Sequence, residues 1–180
     1  MLVYTGKRGI VYCFYPFAIK VKRKDSLAVN RILHEGKWLK LLNKYGIGPH
    51  LYIATEKFLL LELIRGETIL EFFTHASKKE KWKVVMEILR QCRILDELHI
   101  DKFEMHHPVK HVFLTKRRKA VMIDFERCKY SLKPKNVTQF VQFLPRLGIL
   151  SNKERMKQLL QEYKKNYSEK RFREIISILK

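Results

Sequence analysis

Acidic residues are scarce in this chain. Its 180 residues hold 18 Asp and Glu against 38 Lys and Arg, a formal net charge of +20 at pH 7. A deficit of that size points to an anionic partner such as a nucleotide, RNA or a ribonucleoprotein, although a lysine-rich surface also serves solubility alone. Cysteine is scarce too: Cys13, Cys92 and Cys128 are odd in number, far apart and outside any C-x-x-C spacing. They exclude a disulfide framework and a zinc knuckle, and predict reduced thiols in a cytoplasmic protein. Long apolar runs are missing. The longest, Phe58 to Ile64, is short and contains Glu62, so no segment suits a bilayer span and no membrane partner is expected. The first nine residues lack the apolar core of a secretory signal, so none is expected. No internal repeat and no low-complexity tract is present. What remains, 46% hydrophobic and 31% charged residues, describes a folded chain long enough to bury a core.

The first 65 residues read mostly as strands. Leu2 to Tyr4, Ile10 to Tyr15 and Phe17 to Lys22 are rich in β-branched and aromatic residues, with Gly6, Gly9 and Pro16 as punctuation. A helix is predicted from about Ser26 to Lys44, ended by Tyr45-Gly-Ile-Gly-Pro49, and strands over His50 to Ala54 and Phe58 to Ile64. That order predicts an antiparallel sheet with one helix. Past Gly66 the pattern turns helical. Ser77-Lys-Lys-Glu80 and Ser151-Asn-Lys-Glu154 both have the form of a capping box opening an amphipathic helix, and a last helix holds Phe172, Ile175, Ile176 and Leu179. Between them, Asp101 to Lys110 reads as an irregular polar loop, and Val112 to Thr115 and Ala120 to Ile123 as a hairpin with the basic tip Lys116-Arg-Arg-Lys119. The expected division falls at Arg65-Gly66, giving domains 1–65 and 66–180.

Four features bear on chemistry. Gly6-Lys-Arg-Gly9, between two strands, suits backbone N–H groups approaching a phosphate, although taken alone it is better read as an ordinary hairpin turn. Lys20 is a cation within an apolar strand, where an ammonium needs a partner; Lys22 alternates to the same face and competes for the role, and a solvated strand face fits both. Glu35 sits in the following helix, where carboxylates are commonly just solvated. Asp124 closes the apolar strand Val121-Met-Ile-Asp124, a place for an acid that caps a turn or offers hard oxygen to Mg²⁺ beside phosphates.

The order of these features resembles the protein kinase-like fold. Phe17-Ala-Ile-Lys20 matches the strand lysine motif V-A-I-K, and Ile123-Asp-Phe-Glu126 resembles the Asp-Phe-Gly metal motif with Glu in place of Gly. Glu62 to Gly66 resembles the hinge between lobes. Glu35-Gly-Lys-Trp-Leu-Lys-Leu-Leu-Asn43, Gly46-Ile-Gly-Pro-His-Leu-Tyr52, Ile123-Asp-Phe-Glu-Arg127 and Asn136-Val-Thr-Gln-Phe140 look like the small predicted Ser/Thr protein kinases of archaea, relatives of the RIO-type atypical kinases. The short stretch after Asp124, with no Ala-Pro-Glu motif, fits that minimal class. The resemblance implies an α+β bilobal fold with an antiparallel-sheet N-lobe and a reduced, mainly helical C-lobe. It implies ATP held with Mg²⁺ or Mn²⁺: Lys20 on the α/β-phosphates, Glu35 fixing the ammonium, Asp124 on the metal, and Gly6 to Gly9 over the phosphates. Adenine would meet the backbone of Glu62, Leu63 and Ile64.

The catalytic loop departs from the pattern. Phe103-Glu-Met-His-His-Pro-Val-Lys-His-Val112 holds neither Asp nor Asn. If His111 stands at the metal-binding Asn, strict spacing gives His106 the place of the catalytic Asp, and a loop two residues longer gives it to Glu104. Glu104 keeps the acceptor chemistry of a carboxylate and is preferred. An imidazole at position 111 suits softer ions, so Mn²⁺ is expected to serve as well as Mg²⁺; hydrogen bonding within the loop is the plain alternative for His106, His107 and His111. The implied activity is transfer of the γ-phosphate of ATP to a protein hydroxyl. The alternative is a nucleotide-binding pseudokinase or ATPase in a ribosome- or tRNA-associated assembly, with RNA contact through Lys110, Lys116 to Lys119, Lys164, Lys165, Lys170, Arg171 and Arg173. A small-molecule kinase of the aminoglycoside or choline type ranks third, because it needs a larger C-lobe.

Overall fold

A computed structural model describes residues 2–6, 9–23, 31–149 and 152–179. In chain order these contain strands β1 (Leu2–Thr5), β2 (Gly9–Phe14) and β3 (Phe17–Lys22), helix α1 (Arg31–Leu42), then strands β4 (Leu51–Ala54), β5 (Phe58–Glu62) and β6 (Gly66–Thr68). Helices α2 (Ile69–His75) and α3 (Lys78–Glu97) follow, then strands β7 (Ile100–Asp101), β8 (Val112–Thr115), β9 (Ala120–Met122) and β10 (Lys129–Tyr130). Helices α4 (Asn136–Phe143), α5 (Lys153–Asn166) and α6 (Glu169–Leu179) complete the described chain. No helix among the described residues is long and apolar enough to cross a membrane.

By packing, the chain forms two units, Met1–Phe72 with Lys110–Cys128, and Phe73–Val109 with Lys129–Lys180. This differs from the division expected at residues 65 and 66. The reason is pairing: β6 hydrogen-bonds β8 with Gly66 opposite Thr115 and Thr68 opposite Phe113, and β8 pairs β9, so residues 110–128 pack with the first unit.

In that first unit the sheet order is β1-β2-β3-β5-β4, antiparallel throughout, as the β-β-β-α-β-β reading predicts. Helix α1 lies on β3, β4 and β5. It buries Ile32, Glu35, Gly36, Trp38, Leu39 and Leu42, the stripe that a 3.6-residue period places on one face. Gly36 sets the closeness of this packing. A Cβ there would sit 2.9 Å from the Ala54 Cβ and 3.0 Å from a Leu59 methyl, so only hydrogen lets the helix approach β4 and β5. The helix ends at Leu42, two residues short of the expected Lys44, and a 3-10 turn over Asn43–Tyr45 leads into the expected Gly46-Ile-Gly-Pro49 break. Gly48 there has φ +84° and abuts Phe125, which is fully buried.

The second unit is mainly helical. Ser77 caps α3 reciprocally with Glu80, the expected capping box. Ser151 of the second expected box lies outside the described residues, and Asn152 is the residue that caps α5, accepting from Arg155 N–H. The start of α1 anticipated at Ser26 and the turn residues Lys7 and Arg8 also lie outside them. Strand β5 ends at Glu62 rather than Ile64. Five short elements were not anticipated in the sequence reading: β6, α2, α4, and the pair β7 and β10, whose two-residue ladder joins Asp101 to Lys129 and Ile100 to Tyr130. The stretch 101–110 is mostly turns, as the loop reading expects, with Asp101 in β7 and a 3-10 turn over Pro108–Lys110.

Candidate functional site

Strand β3 alternates Ala18, Lys20 and Lys22 onto one face. The structure separates the two lysines that alternation leaves equivalent. Lys22 is exposed, whereas the Lys20 side chain keeps 16% of its surface and reaches two carboxylates. Its Nζ lies 2.6 Å from Glu35 Oε2 and 3.2 Å from Asp124 Oδ1. Glu35 comes from the buried face of α1, one residue before the glycine that seats the helix. Its side chain is only 3% exposed, and its other oxygen, Oε1, accepts the Phe125 N–H at 3.2 Å. One carboxylate thus ties the strand lysine to the backbone of the Asp-Phe segment.

The electrostatics follow from burial. Desolvation works against the Lys20 ammonium, but the Glu35 and Asp124 carboxylates outweigh it and hold the amine above its ordinary range. Burial raises Glu35 above the usual carboxylate range, opposed by the Lys20 charge and reinforced by Asp124. Oε1 accepts the Phe125 N–H and Oε2 lies 2.6 Å from the Lys20 ammonium as an ion pair, an arrangement that fits the carboxylate form.

Asp124 follows β9 with φ +63°, in the left-handed region that Asp tolerates better than most residues. His111 stands beside it: Ile123 N–H donates to the His111 carbonyl at 2.9 Å, and His111 Nδ1 is 3.9 Å from Asp124 Oδ2. Sequence reasoning missed the next acid. Glu126, in the glycine place of the motif, brings a carboxylate oxygen within 4.8 Å of those of Glu35 and Asp124 and pairs with Arg31 of α1 at 3.1 Å. Oxygen donors in such a cluster suit a hard cation such as Mg²⁺. All three carboxylates meet a cation, but Asp124 keeps 35% of its side chain in solvent against 3% for Glu35 and 9% for Glu126, so it is the member most open to an incoming ion.

The glycine turn closes by Gly6 N–H donating to Gly9 O at 2.9 Å, the hairpin reading of that segment. A Cβ on Gly9 would stand 3.9 Å from the Lys20 Cε, so the turn lies next to the lysine. Glu62, Leu63 and Ile64 stand apart from the cluster at the end of β5, where Glu62 opposes Phe17. The Glu62 N–H goes to His50 O and the Leu63 N–H to Pro16 O. That leaves Ile64 as the one N–H donor of the three without a backbone acceptor among the described residues.

Glu104 and His106 belong to the second unit. Glu104 adopts φ +82° and its carbonyl accepts from His107 N–H at 3.0 Å, while His106 is exposed. This unit contains a buried polar network that the sequence reading did not find. The Asp96 carboxylate accepts from Asn136 N–H and Nδ2, from Val137 N–H and from the Tyr163 hydroxyl. Asn136 in turn accepts from Lys102 N–H at 2.8 Å and donates to Ile100 O at 2.6 Å. It therefore fixes residues 100–102, immediately before the stretch that holds Glu104. Burial pushes the Asp96 carboxyl up to about 6 against those hydrogen bonds.

No protein-family model and no curated protein sequence matches this chain. Solved structures do. A Rio2 kinase from Chaetomium thermophilum, described as an ADP/Mg²⁺-phosphoaspartate complex, aligns with TM-score 0.55 and 11% identity, covering 81% of this chain and 52% of the kinase chain. The chain thus spans about half the length of that kinase, and its fold is the α+β protein kinase-like fold.

Proposed function

We propose that the protein binds ATP with a divalent cation and transfers the γ-phosphate to a protein hydroxyl, as an atypical kinase. The observation carrying this reading is the Lys20–Glu35–Asp124 cluster: a partly buried lysine held charged between a helix carboxylate and a strand-end carboxylate. Lys20 binds the α/β-phosphates, Glu35 orients its ammonium, and the Gly6–Gly9 turn covers the phosphates. Asp124, with His111 beside it, holds Mg²⁺ or Mn²⁺, which supplies charge neutralisation between the phosphates. Adenine is read by the Ile64 N–H and the neighbouring backbone. The acceptor hydroxyl attacks Pγ, the bond from Pγ to the β,γ-bridging oxygen breaks, ADP leaves, and the hydroxyl proton passes to Glu104. The ADP and Mg²⁺ in the description of the Rio2 complex support the choice of ligands.

The test is transfer of label from γ-labelled ATP, with Mg²⁺ or Mn²⁺, to the protein itself or to a basic protein substrate. Hydroxylamine-stable label that disappears in Asp124→Ala is expected. A second reading, a nucleotide-binding pseudokinase or ATPase, is favoured by the lack of Asp and Asn in residues 103–112. Nucleotide binding without stable label, or label that hydroxylamine removes as from an acyl phosphate, would replace the first reading with the second.

A further inference from the structure

The segment after Glu126 combines charge and apolar surface in a way the phosphoryl-transfer site does not use. No Asp or Glu occurs between Glu126 and Glu154, and Lys129-Tyr-Ser-Leu-Lys-Pro-Lys135 interleaves three lysines with two large side chains. Tyr130 is 69% exposed and Leu132 89%, the latter among the most exposed large apolar side chains described. The backbone beneath them is held rather than loose. Strand β10 pairs with β7, Ser131 N–H donates to His99 O at 2.8 Å, and the Tyr167 hydroxyl donates to Pro134 O at 3.2 Å.

Those bonds seat the segment beside the end of α5. Leu132 lines a cleft of about 370 Å³ together with His99, Lys165, Asn166 and Tyr167, with Asp96 and Glu97 as its acids. Neither acid sets the outer charge: Asp96 is fully buried in its own network, and Glu97 is paired with Arg93 at 2.6 Å. By contrast, Lys129, Lys133, Lys135, Lys164 and Lys165 are exposed and make no ion pair among the described residues. Several of the basic residues singled out from the sequence are committed elsewhere. Arg118 at the hairpin tip pairs with Glu67 and lies over the Phe72 ring, Arg171 is paired with Glu162 and Glu174, and Arg173 with Glu169.

We propose that residues 129–135, with the adjoining cleft of His99, Lys165 and Tyr167, form a binding surface for single-stranded nucleic acid. The lysines neutralise successive phosphates, Tyr130 and Leu132 offer apolar faces to the bases, and the cleft takes one nucleoside between Leu132 and Tyr167. Charge complementarity selects a polyanion. Exposed apolar faces set between lysines, and a concave polar-walled cleft, favour one with bases over a bilayer. This inference is independent of the phosphoryl-transfer reading.

The test is fluorescence anisotropy with a labelled oligouridylate over a range of salt concentrations. Phosphatidylserine vesicles and inorganic polyphosphate serve as the competing anions. In Lys133→Ala/Lys135→Ala/Lys165→Ala the slope of log K against log salt should shrink by about 2, at roughly 0.7 per phosphate contact on a single strand. In Tyr130→Ala/Leu132→Ala affinity should fall roughly tenfold or more with the slope unchanged, the loss expected for base stacking. A control, Lys116→Ala/Arg117→Ala/Lys119→Ala, should change binding less than either, and far-UV circular dichroism should match for all. The proposal is overturned if the hairpin-tip control is the most damaging variant, or if vesicles bind and the oligonucleotide does not. It is also overturned if polyphosphate binds as well and the Tyr130/Leu132 variant is silent.

Discussion

Replacing Lys20 by Met isolates what the central ion pair does. Met preserves the unbranched stem, so the main change is loss of the ammonium 2.6 Å from Glu35 Oε2 and 3.2 Å from Asp124 Oδ1. Asp124 keeps a third of its side chain in solvent and His111 nearby, and tolerates the loss. Glu35, at 3% exposure, does not: its Oε1 retains the Phe125 N–H while Oε2 is left buried without its cation. Breaking a buried pair from one side costs about 3–5 kcal/mol, because an uncompensated charge remains. The cost depends on pH, and the direction is fixed by linkage. Burial already raises Glu35, and without the opposing Lys20 charge its folded-state value rises further while the unfolded value stays near 4.3. Between the two the folded variant binds more protons than the unfolded chain, so its stability falls as pH rises. Urea denaturation of wild type and Lys20→Met at several pH values should therefore show a gap that is small near pH 4 and widens toward neutrality. The double change Lys20→Met/Glu35→Met should recover most of the loss at pH 7, since no buried charge is left. A gap below about 1 kcal/mol at pH 7, or one that is flat from pH 4 to 8, would refute the reasoning.

Gly36→Ala sets two effects against each other: about 1 kcal/mol of gained helix propensity and about 1–3 kcal/mol of overpacking against Ala54 and Leu59. Unchanged or lower stability with weaker ATP binding in calorimetry is expected, because α1 must lift and take Glu35 with it; a variant stabilised by about 1 kcal/mol with intact binding would contradict the packing argument. The raised Asp96 carboxyl, at about 6 against an ordinary 3.8, favours the folded state below about pH 4 and loses that contribution as pH climbs to about 6. Wild type should accordingly lose about 2 kcal/mol relative to Asp96→Asn between pH 4 and 6.5 in denaturant titrations, and a difference that moves the other way would rule out the assignment. In the phosphoryl-transfer assay, Glu104→Gln should lower turnover by roughly 10²-fold or more and His106→Ala far less, on the usual scale for a lost proton acceptor. The reverse order would move the acceptor role to His106.

What the sequence made legible was local, and what it hid depended on packing between distant segments. Strands β1 to β5 and α1 follow from alternation and a 3.6-residue stripe, and the Lys20, Glu35 and Asp124 positions follow from motifs a few residues long. Alternation alone left Lys20 and Lys22 equal, since both share a face; only the approach of α1 and the 123–126 segment decides which one is buried. Gly36 looks like any helix-weakening glycine until a sheet is placed 3 Å from its missing methyl. Glu126 looked like a defect in a glycine motif, and its meaning appears only when Arg31 of α1 stands 3.1 Å away. The same logic explains α4. Lys135, at the capping position before its first residue, offers no side-chain cap, and a helix of eight residues has little stability of its own, so neither capping nor length announces it. Its first N–H groups are instead satisfied by Asp96, some 40 residues earlier, and Asn136 at its start holds the backbone on either side of Asp101. The helix forms because a buried carboxylate from another helix caps it. The stretch leading to Glu104 is ordered by that same carboxylate, acting through Asn136.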